Sequence, residues 1–306
     1  MKKVFYFASA IATCFILSIN SCHAENSIAD AHIHYNWDHA ELVSPEQVIE
    51  KLKQANVHIA IVSSTPTHLA LSLKSAGGDL IAPFFSPYTH ELGKHDWFKD
   101  SELVHKADIA LSKGDYVGIG EVHFMAGFQP KLENEVFVGL VELAHKYDAP
   151  MLIHIDSGNQ KFFQTLCLKY PDVKLIFAHA GGNLKPRHIR PVLENCPKVW
   201  IDFAARDPWR YGGLTGEDGK LLPEWKKLVL DFPSRFITGT DPVWKVTRTQ
   251  SWDQPDDGWD YFEKLMHYHK TWMNELPENV QNKIRRDNVD TLLRNSYLQK
   301  QTLQQQ

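Results

Sequence analysis

Cysteine is scarce in this chain, four residues in 306, which excludes a small fold built on a disulfide framework. Cys14 and Cys22 fall within the first 24 residues. The remaining Cys167 and Cys196 are too few for a thiolate zinc site, so any metal must be held by histidine and carboxylates. These two read either as a pair bonded in an oxidising compartment or as two buried thiols. A basic surplus is also missing: the formal net charge is −4, and no Lys/Arg run stands out. Nucleic acid is therefore not an expected partner. After Ile19 no apolar run approaches the roughly 20 residues of a spanning helix, so no integral membrane segment is expected downstream. Linkers, low-complexity tracts and internal repeats are absent too, which points to one large domain.

The first residues do carry a pattern. Lys2 and Lys3 precede an apolar run from Val4 to Ile19, and small residues follow around Cys22, His23 and Ala24. This is the layout of a signal peptide over residues 1–24, leaving a mature domain of 25–306 and an exported, periplasmic or secreted protein. Cleavage after Ala24 is the favoured processing, with lipid attachment at Cys22 as the alternative. Removing two lysines and no acidic residue moves the formal charge from −4 to −6.

Eight short apolar, β-branched runs recur along the mature chain: Ala29–His34, Val57–Ser63, Asp79–Ser86, Tyr116–Phe124, Pro150–Asp156, Val173–His179, Val199–Ala204 and Arg235–Asp241. Helical periods lie between most of them. Ser44-Pro45-Glu46-Gln47 offers an N-cap, a proline at the first helical position and a capping-box glutamine. Val136, Leu140, Leu143 and Ala144 repeat at helical spacing before Pro150 restarts the strand pattern. Eight strand-loop-helix units predict an α/β fold, a single-domain (β/α)8 TIM barrel, with functional loops at the carboxyl ends of the strands. Residues 207–219 and 243–258 read as long loops over that mouth.

Polar residues that end the runs are then the candidates for chemistry. His32 and His34 sit two apart on a predicted strand, so they share a face and can reach one ion. His267 and His269 serve as an internal control, because they lie in a helical pattern where residues two apart diverge. His154, His179 and Asp241 each end a later run. Glu121 ends the fourth, behind glycines that permit close approach, and reads either as a metal-binding or bridging carboxylate or as one that orients a neighbouring histidine. His123 shares its face as a weaker candidate.

At these residues the chain resembles the amidohydrolase superfamily, in its amidohydrolase-related branch of metal-dependent TIM-barrel hydrolases, which includes lactonases and aminocarboxymuconate-semialdehyde-decarboxylase-like enzymes. The resemblance runs from about Ile28 to Leu293. It rests on Asp30-Ala31-His32-Ile33-His34, His154, Ala178-His179-Ala180-Gly181-Gly182 and Gly239-Thr240-Asp241-Pro242, with Asn288-Val289-Asp290-Thr291-Leu292-Leu293 resembling the branch's closing helix. The resemblance implies that His32, His34, His154 and Asp241 are metal ligands and that His179 is a second-metal ligand or an active-site acid. Glu121 stands where binuclear relatives carry a carbamylated lysine, as in TatD-like nucleases, which leaves one or two ions open.

A His/carboxylate set with an open position suits a divalent metal, zinc first. The expected reaction is hydrolysis of a lactone, amide or ester of a small carboxylated compound by metal-activated water, with Asp241 as proton shuttle and His179 steadying the developing oxyanion. Non-oxidative decarboxylation is the alternative within enzymes, and a non-catalytic metal- or ligand-binding barrel the alternative outside them. Arg206 and Arg210 are candidates to meet a substrate carboxylate, and Trp37 and Trp244 to stack on a ring. The substrate and the oligomeric state stay open.

Overall fold

A computed structural model describes residues 27–294 except 126, 128, 157, 158 and 244–254. The expected signal segment therefore lies outside the described residues, as does Trp244. One sheet of eight parallel strands runs in sequence order: β1 (Ile28–His34), β2 (Val57–Ser63), β3 (Ile81–Phe85), β4 (Gly118–Phe124), β5 (Met151–Ile155), β6 (Leu175–Phe177), β7 (Val199–Asp202) and β8 (Phe236–Ile237). Each expected run coincides with or contains its strand, except that β1 starts one residue earlier than expected, at Ile28. The helices that follow them in turn are α1 (Pro45–Gln54), α2 (Leu69–Gly77), α3 (Leu103–Ser112), α4 (Glu135–Lys146), α5 (Gln160–Lys169), α6 (Pro186–Asn195), α7 (Pro223–Asp231) and α8 (Phe262–Met273). This is the (β/α)8 barrel that the alternation predicts. The capping box at Ser44 and Gln47 forms as expected and starts α1. No helix among the described residues is long and apolar enough to cross a membrane.

Last strand and first strand meet just beyond β8. Ala31 N–H donates to Thr238 O at 2.8 Å, and Asp241 N–H donates to His32 O at 2.7 Å. Asp30 clamps the same seam by accepting from Thr240 N–H at 2.9 Å and Thr240 Oγ1–H at 2.7 Å. Gly239 makes this approach possible, since a Cβ there would lie 2.5 Å from His32 Cβ.

Two apolar layers fill the fold. Ala29, Ala31, Ile59, Ile61, Phe84, Leu152, Ile176 and Ile237 occupy the barrel interior, and Val289, Leu292 and Leu293 of the closing helical segment pack onto them. A larger shell joins the outer faces of the strands to the helices. The pairing of β1 with β2 shifts register between Asp30 and Ile33. Ala31 thus belongs to the interior layer, whereas Ile33, two residues on, packs in the outer shell. Such an irregularity re-aims side chains, and here it turns His32 and His34 inward. A similar shift between Ile119 and Val122 on β4 spans Glu121 and precedes His123. Cys167 at the end of α5 is bonded to Cys196 just after α6, which settles the pairing that composition leaves open.

Candidate metal centre

The residues singled out at strand ends converge at the mouth of the barrel. His32 and His34 come from β1, Glu121 from β4, His154 from β5, and His179 and Asp241 from the turns that follow β6 and β8. His32 Nε2 and His34 Nε2 lie 3.0 Å apart. Glu121 Oε2 is 3.5 Å from the first and 3.2 Å from the second, and Asp241 Oδ1 is 3.4 Å from His34 Nε2. On the other side Glu121 Oε1 is 3.1 Å from His154 Nδ1 and 3.4 Å from His179 Nε2. His154 Nδ1 and His179 Nε2 lie 3.1 Å apart. All six side chains are buried.

Acceptors on the outer nitrogens fix the tautomers. His32 Nδ1–H donates to Asp202 Oδ2 at 2.7 Å, His34 Nδ1–H to Ser63 O at 2.7 Å, and His179 Nδ1–H to Ala204 O at 3.1 Å. His154 donates through Nε2–H to Asp156 Oδ1 at 3.1 Å. In each neutral ring the other nitrogen therefore carries a lone pair into the centre. Lone pairs facing one another at 3 Å repel unless a cation lies between them, and the orientation by outer carboxylates and carbonyls is the one metal-ligating histidines show. Asp241 Oδ1 adds a second sign, being a buried carboxylate oxygen without a hydrogen-bond donor. Two of the clusters of ligand atoms here, His32/His34/Asp241 and His32/Glu121/His179, are dimensioned for metal. The residues fit a divalent ion, whose identity the donor set leaves to proposal.

Charge follows the same design. Burial opposes ionisation of Glu121, but the imidazoles of His123 and His32, with those of His154 and His179 beside them, hold its pKa well below the usual carboxylate value. Burial also opposes the charge on Asp241, and His32, His179, His34 and Arg210 together bring its pKa below the ordinary value. Backbone geometry sets the last two side chains of the cluster: His179 has φ 57° and Asp241 φ 48°. Non-glycine residues in that region are strained, and such residues gather at functional sites.

A cavity of about 450 Å³ opens above this centre, lined by His34, Glu121, His123, His154, His179 and Asp241 at its floor. Trp37 and Tyr211 stand in its wall. Arg206 and Arg210 do not line it. Arg206 is buried, donates to Leu184 O at 3.2 Å and stacks over Trp225. Arg210 pairs with Asp207 at 2.6 Å and donates to the carbonyls of Thr240 and Asp241, so it steadies the turn bearing Asp241 instead of facing a substrate. Lys94, from the loop after β3, is the basic side chain in the wall that the sequence reading passed over. The control pair behaves as expected: on α8, His267 is exposed and His269 buried.

The amidohydrolase family model matches residues 99–294. The chain belongs to the amidohydrolase family. This amidohydrolase is accordingly a metal-dependent hydrolase. No curated protein matches it significantly in sequence. Among solved structures, an amidohydrolase from Burkholderia multivorans with bound HEPES is similar, with 13% identity, TM-score 0.59, and 88% of this chain and 99% of the other covered. A probable 2-pyrone-4,6-dicarboxylic acid hydrolase from Acinetobacter baumannii with citric acid bound shares 14% identity at TM-score 0.55, over 87% and 99% of the two chains. An organophosphorus hydrolase variant from Deinococcus radiodurans shares 12% identity at TM-score 0.55, over 87% and 92%. At these identities the likeness is one of fold.

Asp202, Ser63 and Asp156 are the functional side of the centre that the sequence reading missed. Asp202 carried a usable signal, since it is a carboxylate near the end of the seventh run, as Glu121 and Asp241 are near the ends of theirs. Ser63 carried none.

Proposed function

We propose that this amidohydrolase is an exported enzyme that holds two divalent ions, zinc first, on either side of Glu121 and opens a lactone, amide or ester of a small carboxylated compound. The observation that carries this reading is the division of the centre by one carboxylate. Oε2 of Glu121 faces His32 and His34, with Asp241 beside them, and Oε1 faces His154 and His179. Bound metal supplies Lewis acidity, polarising a carbonyl and making water nucleophilic near neutral pH. The chain's own residues do the rest. Asp241, at the cavity floor, accepts the proton of the attacking water and returns it to the leaving group. His179, its lone pair inward, serves as a ligand of the second half.

Lys94 replaces the two arginines as the group proposed to meet a substrate carboxylate, because it lines the cavity and makes no ion pair among the described residues. Trp37, exposed in the same wall, is proposed to cover a ring. Support for a cyclic, carboxylated substrate comes from the similar structures named as hydrolases of a pyrone dicarboxylic acid. Export is supported by the amino-terminal pattern and by the Cys167–Cys196 bond, which persists in an oxidising compartment.

Metal analysis of purified protein, joined to a screen of lactones, amides, esters and carboxylated aromatics, tests the reading. Two equivalents of metal per chain and hydrolysis that chelation abolishes and zinc restores are expected. Carbon dioxide release without hydrolysis would move the assignment to decarboxylation. Mass spectrometry of protein from the native envelope should find an unlipidated amino terminus at Glu25.

A further inference from the structure

His123 shares the floor of the cavity with the ligands, and its Nε2 is 3.4 Å from Glu121 Oε2. By composition and distance it would join Glu121 and His154 as a metal-binding set. What stands behind the ring says otherwise. Every other imidazole of the centre has an oxygen acceptor on its outer nitrogen. His123 has instead a hydroxyl: Tyr88 Oη lies 2.7 Å from His123 Nδ1. The same oxygen accepts the backbone N–H of His123 at 2.8 Å.

That double contact settles the proton. Tyr88 is buried, and burial, with the charge of Glu121 next, pushes its pKa well above the usual phenol value, so it keeps its hydrogen. With one lone pair of Oη occupied by the backbone donor, the hydroxyl hydrogen has Nδ1 as its acceptor. A buried hydroxyl left without an acceptor would forfeit its hydrogen bond. His123 Nδ1 must then be unprotonated and Nε2 must carry the hydrogen. The ring is also fixed in direction, stacked on His154 with centroids 4.5 Å apart.

We propose that His123 is not a metal ligand but a hydrogen-bond donor, held by Tyr88 with Nε2–H aimed over Glu121 at an oxygen of the bound substrate. This rests on the reading of a metal centre at Glu121, and it assigns the cavity floor two kinds of nitrogen: lone pairs for metal and one N–H for substrate. A preorganised donor of this kind stabilises charge developing on a carbonyl oxygen at no cost of reorientation. Tyr88 is a positioning residue, acting only through the tautomer it imposes.

The tautomer can be read without a substrate. In protein labelled with ¹⁵N-histidine, long-range proton–nitrogen correlation should show His123, assigned through the His123→Gln variant, protonated at Nε2 both before and after zinc is added. The inward nitrogens of His32 and His34 should shift as zinc binds. His123→Ala and His123→Gln should retain the wild-type zinc content, whereas His34→Ala loses zinc. With acetohydroxamate as an oxygen-donor probe of the zinc-loaded protein, His123→Ala should bind it about 2- to 10-fold more weakly and His123→Gln, which keeps an N–H, should recover most of that loss. Tyr88→Phe should give mixed tautomers at His123 with unchanged zinc content. A hydrogen on Nδ1, or a zinc-induced shift at His123 Nε2, would overturn the proposal. Wild-type protein that binds no zinc would instead overturn the metal reading, with the tautomer still measured.

Discussion

Asp202 shows how much of the centre depends on a residue that stands behind one of its histidines. Its Oδ2 accepts from His32 Nδ1 at 2.7 Å while its Oδ1 accepts from Ala204 N–H at 2.7 Å, so both oxygens are committed as acceptors. Asp202→Asn must turn an NH₂ towards one of these donors. If it faces His32, the imidazole takes the opposite tautomer and presents N–H to the ion. Metal affinity should fall about 10- to 100-fold, measured by chelator competition. Asp241→Asn tests the neighbouring role: it keeps one oxygen and the size but loses the basic site. Turnover on a substrate found by screening should drop about 10²- to 10⁴-fold in samples matched for metal content. Near wild-type turnover in metal-replete protein would pass the proton to another group.

Elements matter where two of them must come unusually close. Gly239 lets the extension of β8 lie against β1, with 2.7 Å from its would-be Cβ to His32 N and no flexible side chain to yield. Gly239→Ala should separate the seam, costing about 1–3 kcal/mol as overpacking does, and should weaken metal binding because Asp241 rides on the displaced turn. Denaturant unfolding and metal content on the same sample check both parts. On α8, His269 accepts from Trp272 Nε1–H at 3.2 Å. Burial depresses its pKa to about 4 from 6.5, against the opposing charges of Asp207 and Asp202 and with Arg210 adding to the depression. The unfolded chain therefore takes up the proton first. Stability tied to this group is complete above about pH 6.5 and is lost as pH falls towards 4, by on the order of 3 kcal/mol. His269→Gln keeps an acceptor for Trp272 and should flatten that part of the stability–pH curve.

These elements also show what a linear reading could and could not reach. Periodicity and punctuation placed all eight strands, because a buried parallel strand and an amphipathic helix leave different apolar periods. Polar residues at the run ends led to His154, His179 and Asp241, since a barrel gathers such ends at one rim. Arg206 and Arg210 looked like substrate anchors because charge in a loop is silent about direction. Only three-dimensional contacts stack one over Trp225 and tie the other to Asp207. Lys94 was missed for the converse reason, as it lies in a loop after β3 with no motif around it. The inward turn of His32 and His34 depends on a register shift in β1 that simple alternation does not contain.

At the scale of the whole molecule, the bond between Cys167 and Cys196 joins neighbouring helical units across 29 residues of chain. The chain-entropy model gives about 3–4 kcal/mol for a loop of that size. Reduction, or Cys167→Ser with Cys196→Ser, should lower stability by up to that amount while leaving the metal content unchanged, since the bond ties two outer helices and neither cysteine belongs to the centre. Comparing urea midpoints with and without reductant checks it.

Among the proposed ligands, His32 and His34 come from β1 and Asp241 from the turn after β8, and these lie side by side only across the seam held by Asp30 and Thr240. A chain still emerging from a ribosome or threading a translocation pore has no such pair of ends to bring together. On the proposed assignment, that side of the centre exists only once the seam has closed, so metal uptake there follows closure of the barrel.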